Sequence, residues 1–324
     1  MTHEPEVIEI NEPDCGLEAF IVLDDTRRGP CAGGVRTRAY ESKEEALEDA
    51  KQLARSMTVK CALAGLPVGG GKAVILKNPK LDRRKAFERM GQVVQSLSGR
   101  FRTAGDFGTT RKDLDIMAAH TEYVHAQESE LSLAVAQGLY ACLNACAEFL
   151  GLEQAPSLSI SVQGCGAIGS AVARLLAVKG HKVCVADLNP NLARRLELPM
   201  VDSDDALFQA VDILSPCAIG GVITPDIIPR LRAKAVCGAA NNIVRHSKSH
   251  RILHEARIPF VPDVLSSAGA VIDGIGETVM GLEDRSSLID RLGSVTTQVL
   301  ELSKSQDRPP HAIALEMAEQ ICEQ

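Results

Sequence analysis

The sequence predicts an α/β chain of two domains, the second of them a Rossmann domain built on a parallel, doubly wound sheet. Three observations predict it. At 324 residues the chain has length for about two domains of roughly 150 residues each. Short β-branched runs at Leu158 to Val162, Val183 to Ala186, Val211 to Leu214, Ala235 to Cys237 and Ile258 to Val261 alternate with longer helical or loop segments, the pattern of parallel strands joined by crossovers. The first of these runs leads directly into Gly164-Cys165-Gly166-Ala167-Ile168-Gly169, a GxGxxG placed between a strand and a helix.

The elements follow in order. Glu6 to Ile10 and Glu18 to Asp24 read as strands of a small sheet, with a turn at Arg28-Gly29-Pro30. Ser42 precedes Glu45 in a capping-box pattern, and Ala46, Leu47, Ala50, Leu53, Ala54 and Met57 recur at helical spacing, so residues 43–57 are expected to be a helix. Gly65 to Lys72 reads as a glycine-rich loop before the apolar run Ala73 to Leu76, and a second amphipathic helix is expected around 83–97. Residues 134–150 form a long apolar helix ended near Gly151, which suits a connection between domains. Leu288, Leu292, Val295, Val299 and Leu302 mark a further helix, broken at Pro309-Pro310 before a last one at 311–322. The resulting division is 1–133, 134–285, and C-terminal helices at about 286–324 packed near the first domain.

Composition narrows the function. The formal charge is −7, no Lys/Arg run is interleaved with aromatics, and there is no Trp, so a nucleic-acid surface is not expected. No stretch is apolar enough to span a membrane, and the acidic start MTHEPEVIEI is unlike a signal peptide, so a cytoplasmic protein with a small-molecule partner is expected. The ten cysteines are scattered through apolar segments and read as reduced core residues; Cys142 and Cys146 share a helical face, but no second pair is spaced to complete a zinc site. His246, His250 and His254 fall at i, i+4, i+8 among Arg245, Lys248 and Arg251, which reads as a solvated basic helix face, and no metal is expected.

In the GxGxxG, Gly164 allows the tight turn, Gly166 lets the backbone approach a pyrophosphate, and Gly169 permits close helix packing, with Ala167 and Ile168 in the turn ahead of a helix expected at Ser170 to Val178. Asp187 ends the next strand, where a carboxylate accepts from the adenosine ribose hydroxyls and repels a 2′-phosphate; this favours NAD over NADP. Arg194 and Arg195, just downstream, read as a solvated helix face. Lys60, Lys72 and Asp106 stand at the ends of expected elements in small-residue surroundings where a lysine is easily desolvated. Two lysines and an aspartate beside a nicotinamide suggest carboxylate binding and proton transfer at a carbon bearing nitrogen or oxygen.

At GPCAGGVRT (29–37), Ser56-Met-Thr-Val-Lys60, AGLPVGGGKAVI (64–75), GRFRTAGDFGTT (99–110), VQGCGAIG (162–169), DILSPCAIGGVI (212–223), CGAANN (237–242) and VPDVLSSAGAVID (261–273), the sequence resembles the glutamate/leucine/phenylalanine/valine dehydrogenase family, in its leucine and phenylalanine dehydrogenase branch. The resemblance is collinear over most of the chain. It implies a substrate-binding domain first and a Rossmann domain second, an active site in the interdomain cleft, and a homodimer or larger homo-oligomer. It implies that Lys60 holds the α-carboxylate of an amino acid or 2-oxo acid, with Gly33, Gly34 and the pocket residue Ala32 near the substrate. Lys72 would be the base that activates water and Asp106 the proton carrier during imine hydrolysis. Asn189, Cys217, Ala218 and Asn241 would join the glycine turn and Asp187 around NAD.

Two segments depart from the family pattern. The family's PSPxTAxG is here Leu131-Ser-Leu-Ala-Val-Ala-Gln-Gly138, so Val135 stands where a threonine approaches the nicotinamide carboxamide. The family's N-A-G-G is here Ser267-Ala268-Gly269-Ala270, so Ser267 replaces an asparagine near the substrate amino group. The preceding loop, 125–131, is shorter and more acidic than the family's. Three function classes stand at this stage: an NAD-dependent amino-acid dehydrogenase with a specialised substrate, a redox-neutral cyclase or lyase that retains NAD on the same scaffold, and a non-catalytic nucleotide-binding regulator, against which Lys60, Lys72 and Asp106 argue.

Overall fold

A computed structural model describes residues 4–126 and 131–324. The chain divides into two compact units: Met1–Ala62 with Leu66–Ser129 and Ala318–Gln324, and Leu63–Gly65 with Glu130–Met317. The division thus falls at the start of the long apolar helix.

In the first unit a five-stranded mixed sheet is ordered β1-β2-β4-β3-β5, from β1 (Glu6–Glu12), β2 (Leu17–Leu23), β3 (Cys31–Arg38), β4 (Gly69–Leu76) and β5 (Phe101–Gly105). β1, β2 and β4 run antiparallel to their neighbours in turn, while β3 lies parallel between β4 and β5. Alternation along the strands divides the residues between two faces. Phe20, Val22 and Val74 meet Ala46, Ala50 and Ala54 of α1 (Lys43–Leu63). Ile21, Leu23, Ala73 and Ile75 meet Phe87, Met90 and Val94 of α2 (Arg83–Ser96) and Met117 of α3 (Arg111–Ala118). Each large side chain buried in this layer contributes about 1.5–3 kcal/mol. A capping box at Thr110 and Asp113 starts α3.

Two expectations change here. The helix reaches Leu63 rather than ending near 57, which puts Lys60 in its last turn. The glycine-rich stretch is not a loop: Gly69-Gly70-Gly71-Lys72 is the first half of β4. Its glycines answer a packing need, since a Cβ on Gly70 would lie 2.1 Å from Thr58 N and 2.2 Å from Ala54 O of α1. Runs of glycine suggest turns, and here close helix–strand approach decides instead.

In the second unit a parallel sheet is ordered β7-β6-β8-β9, from β6 (Ser159–Gln163), β7 (Lys182–Ala186), β8 (Ile213–Pro216) and β9 (Ala235–Val236). The expected strand at 258–261 is reduced to a bridge between Val236 and Phe260. Helices α4 (Leu131–Phe149), α5 (Ala167–Val178), α6 (Pro190–Arg194), α7 (Ser247–Glu255), α8 (Asp263–Ser266), α9 (Gly269–Thr278), α10 (Ser286–Gln306) and α11 (Pro310–Glu323) complete the chain. α10 packs along α4, and of the C-terminal segment only Ala318–Gln324 belongs to the first unit.

The histidines of 246–254 do not form a solvated face. His246 precedes α7 and is exposed, but His250 is buried, stacked on His311 with ring centroids 4.1 Å apart, and His254 Nε2 lies 3.0 Å from Asp307 Oδ1. The apolar stripe of Ile252 and Leu253 turns part of this helix inward, while the charged neighbours Arg245, Lys248 and Arg251 face water. All ten cysteines are free; burial pushes the thiols of Cys31, Cys61, Cys142 and Cys146 up to about 12, as inert core groups.

Candidate active site and dinucleotide site

The first unit assembles its chemistry on the α1 face of the sheet. Lys72 lies on β4 and Asp106 just past the end of β5, with β3 between them. They meet across β3 because Gly34 has no side chain: a Cβ there would lie 2.9 Å from Asp106 Cβ. Lys72 Nζ stands 2.8 Å from Asp106 Oδ2. Arg36, two residues beyond Gly34 and so on the same strand face, reaches the same oxygen through Nε at 2.9 Å. Its Nη1 lies 3.1 Å from Asp49 Oδ2 on α1, and Tyr40 donates its hydroxyl to that oxygen at 2.6 Å.

These contacts set the proton affinities. Lys72 is buried, and burial lowers its proton affinity against the opposing pull of Asp106. Burial raises that of Asp106, but Lys72 and Arg36 outweigh it and hold the carboxyl below its ordinary value. Burial also disfavours charge on Arg36, outweighed by Asp106 and Asp49. The cluster is therefore a lysine that holds its proton less tightly than usual beside a carboxylate held ionised.

Lys60, also buried, occupies the last turn of α1, where the unsatisfied carbonyls favour a cation. Two residues before it, Thr58 donates to Asp24 Oδ2 at 2.5 Å and accepts from Gly70 N at 3.1 Å, tying the helix end to the strand that carries Lys72. Ala32 is buried on the Gly34 side of β3; Gly33 faces the other way, where a Cβ would lie 1.7 Å from Gly71 O. Arg36, Asp49 and Tyr40 were not singled out in the sequence. Arg36 lies inside GPCAGGVRT at period two from Gly34, a signal that names it once the segment is known to be a strand.

In the second unit Gly164 follows β6 with φ +100, and its amide donates to Ala186 O at 2.7 Å. A Cβ on Gly169 would lie 1.9 Å from Gly164 O, so only glycine lets α5 close on the turn. A Cβ on Gly166 would meet nothing within 4 Å, and as N-cap it offers no side chain to the first amides of α5, at Ala167 and Ile168. That open, donor-lined turn fits a pyrophosphate. It lies where the sheet changes direction, since β6 connects outward to β7 and the chain returns to β8 on its other side. Cys217 and Ala218 follow β8 at this point; Cys217 N donates to Gln163 O, and Ala218 packs against Gly164.

Asp187 directly follows β7 and accepts from Cys165 N at 2.7 Å and Asn189 N at 2.8 Å, which fixes its carboxylate beside the turn. Arg194 and Arg195 are exposed. Farther along, Ser267 Oγ donates to Asp263 O at 2.5 Å and lies 3.4 Å from Asn241 Oδ1. Val135 is buried on α4. Of the acidic loop noted at 125–131, residues 127–130 lie outside the described residues.

A lysine–carboxylate–arginine cluster in one unit and a glycine turn before a helix in the other suit a dehydrogenase. The family model "Glu/Leu/Phe/Val dehydrogenase, dimerisation domain" matches residues 5–123, and "Glutamate/Leucine/Phenylalanine/Valine dehydrogenase" matches residues 190–288. Leucine dehydrogenase of Geobacillus stearothermophilus is 36% identical over 98% of this chain and 90% of its own length. Phenylalanine dehydrogenase of Caldalkalibacillus thermarum is 37% identical over 83% of this chain and 77% of its own. The crystal structure of L-tryptophan dehydrogenase from Nostoc punctiforme matches with a TM-score of 0.89 at 29% identity, covering 99% of this chain and 96% of that one. The chain belongs to the Glu/Leu/Phe/Val dehydrogenase family, oxidoreductases that act on CH–NH2 groups with NAD(P).

Proposed function

We propose that the protein catalyses the reversible, NAD-dependent oxidative deamination of an apolar L-amino acid to its 2-oxo acid and ammonium. The observation that carries this reading is the buried Lys72 Nζ at 2.8 Å from an Asp106 carboxylate held ionised by Arg36. The relatives named above are dehydrogenases of leucine, phenylalanine and tryptophan, which supports an apolar side chain; none of them is a cyclase, a lyase or a regulator.

In this account Lys60 binds the substrate α-carboxylate, beside Ala32, Gly33 and Gly34. Bound NAD, held by Gly164 to Gly169 with Ala167 and Ile168, and by Asp187, Asn189, Cys217, Ala218 and Asn241, supplies a hydride acceptor for the substrate Cα. Neutral Lys72 takes a proton from the water that adds to the imine carbon. Asp106, in hydrogen-bond reach of Nζ, passes the proton toward the departing amine. Val135 and Ser267 border the nicotinamide and amino-group side and adapt it to the substrate. Asp187 supports NAD over NADP, because its carboxylate would repel a 2′-phosphate.

The description of residues 5–123 as a dimerisation domain supports a homodimer or larger homo-oligomer, and the ten free cysteines suit the reducing cytoplasm. Lys72→Ala tests the assignment: deamination falls by orders of magnitude while NAD affinity stays near wild type. Equal loss of both would make Lys72 structural.

A further inference from the structure

One oxygen, Asp106 Oδ2, accepts from both Lys72 Nζ at 2.8 Å and Arg36 Nε at 2.9 Å. We propose that Arg36 is a positioning residue whose permanent charge lets Lys72 give up its proton while Asp106 stays ionised. This rests on the reading of Lys72 as the base.

Without Arg36, Lys72 and Asp106 would face each other as an isolated pair. A buried amine and a partly buried carboxylate in contact stabilise each other's charge, so Lys72 would keep its proton and be a poor base. Were the amine to lose it, the carboxylate would be a partly buried anion with no cation beside it. Arg36 removes both obstacles. A guanidinium does not deprotonate in a protein, so Asp106 keeps a cation at Oδ2 whatever Lys72 does. The same charge disfavours a second cation on Lys72. Arg36 is itself fixed from behind: Asp49 on α1 takes its Nη1 at 3.1 Å, and Tyr40 donates to Asp49. Burial raises the affinity of the Tyr40 phenol for its proton, so it stays a donor. The charged groups around Lys72 are thus Asp106 beyond β5, Arg36 on β3, Asp49 on α1, and, behind them, Arg38 over the Tyr40 ring at 5.3 Å. Lys60 lies on the last turn of the same α1.

The design makes two substitutions act with opposite sign. Arg36→Met removes a cation that lowers the affinity of Lys72 for its proton, and Asp49→Asn removes an anion that raises it. The acidic limb of kcat/KM against pH reports protonation of the base in the free enzyme. In Arg36→Met the limb moves to higher pH by about one unit or more. In Asp49→Asn it moves to lower pH. Arg36→Lys, which keeps a cation at the site, holds the limb nearer wild type even where kcat falls. A purely structural role for Arg36 would lower activity without moving either limb. Unmoved limbs in both neutralised variants, with Lys72→Ala inactive, would overturn this proposal alone; should Arg36→Met not fold, the Asp49→Asn limb decides by its sign. Turnover that persists in Lys72→Ala would overturn the functional reading and this proposal with it.

Discussion

Gly269 opens α9 directly against Val135 of α4, so closely that a Cβ on the glycine would lie 2.8 Å from the Val135 Cα and 2.1 Å from Ala134 O. Ser267 stands two residues before that contact. The two positions at which the sequence departs from its family therefore belong to one packed junction between helices. They are distant in the chain and adjacent in the fold.

The junction gives the first prediction. Val135→Thr with Ser267→Asn restores the family's polar groups, and oxidation of leucine, valine or phenylalanine should rise. Each hydrogen bond regained is worth about 0.5–1.5 kcal/mol, so the gain should not exceed roughly a hundredfold in kcat/KM. A double variant that folds but loses its best wild-type substrate and gains none of these three would show that the junction serves other chemistry.

Gly166 and Gly169 should separate binding from folding. A Cβ on Gly166 meets open space, whereas one on Gly169 strikes the Gly164 carbonyl. Gly166→Ala should leave Tm near wild type while NADH titration shows about tenfold weaker binding or worse, since the methyl occupies the pyrophosphate approach. Gly169→Ala should lower Tm. Undiminished NADH affinity in Gly166→Ala would remove this turn from the cofactor site.

The proposed preference for NAD rests on Asp187, whose two oxygens are each held by a backbone amide. Equilibrium titration should give tighter binding of NADH than of NADPH, and Asp187→Ser should narrow the difference. Tighter NADPH binding by the wild type would point to Arg194 or Arg195 as phosphate ligands instead.

Much of this was legible in the sequence, for identifiable reasons. β6 and the glycine turn could be read because Gly164 answers a positive φ and Gly169 a close approach, both local needs. Lys72 and Asp106 stand out in the sequence for their small-residue surroundings, but not as partners, because their meeting depends on β3 lying between β4 and β5 with Gly34 as the gap. The stretch at 69–71 misleads for the converse reason: Gly70 makes room for α1, Gly69 for the Asp25 backbone and Gly71 for the Phe101 ring, and no local pattern encodes those approaches. The segment at 258–261 keeps the composition of a strand but pairs through a single bridge at Phe260. His250 was misread because its partner, His311, lies on another helix.

That stack yields a pH prediction. Burial, helped by His311, lowers the pKa of His250 from its ordinary 6.5 to about 3, and burial lowers that of His311 as well. The unfolded chain therefore binds more protons than the folded one between these values. Stability is full above about pH 6.5 and is lost as pH falls toward 3, by up to about 1.4 kcal/mol per pH unit for one group. Thermal unfolding followed from pH 7 to 5 should show a falling Tm, and His250→Phe, which keeps a ring against His311, should flatten the slope. An unchanged slope would remove His250 as its source.

The most direct test of the central claim is to incubate the purified protein with NAD and apolar L-amino acids, following NADH absorbance and 2-oxo acid mass together. The account predicts one NADH and one 2-oxo acid for each amino acid consumed, with leucine, phenylalanine or a similar side chain among the substrates. Conversion of an amino acid by the NAD-loaded protein with no net NADH released would contradict it.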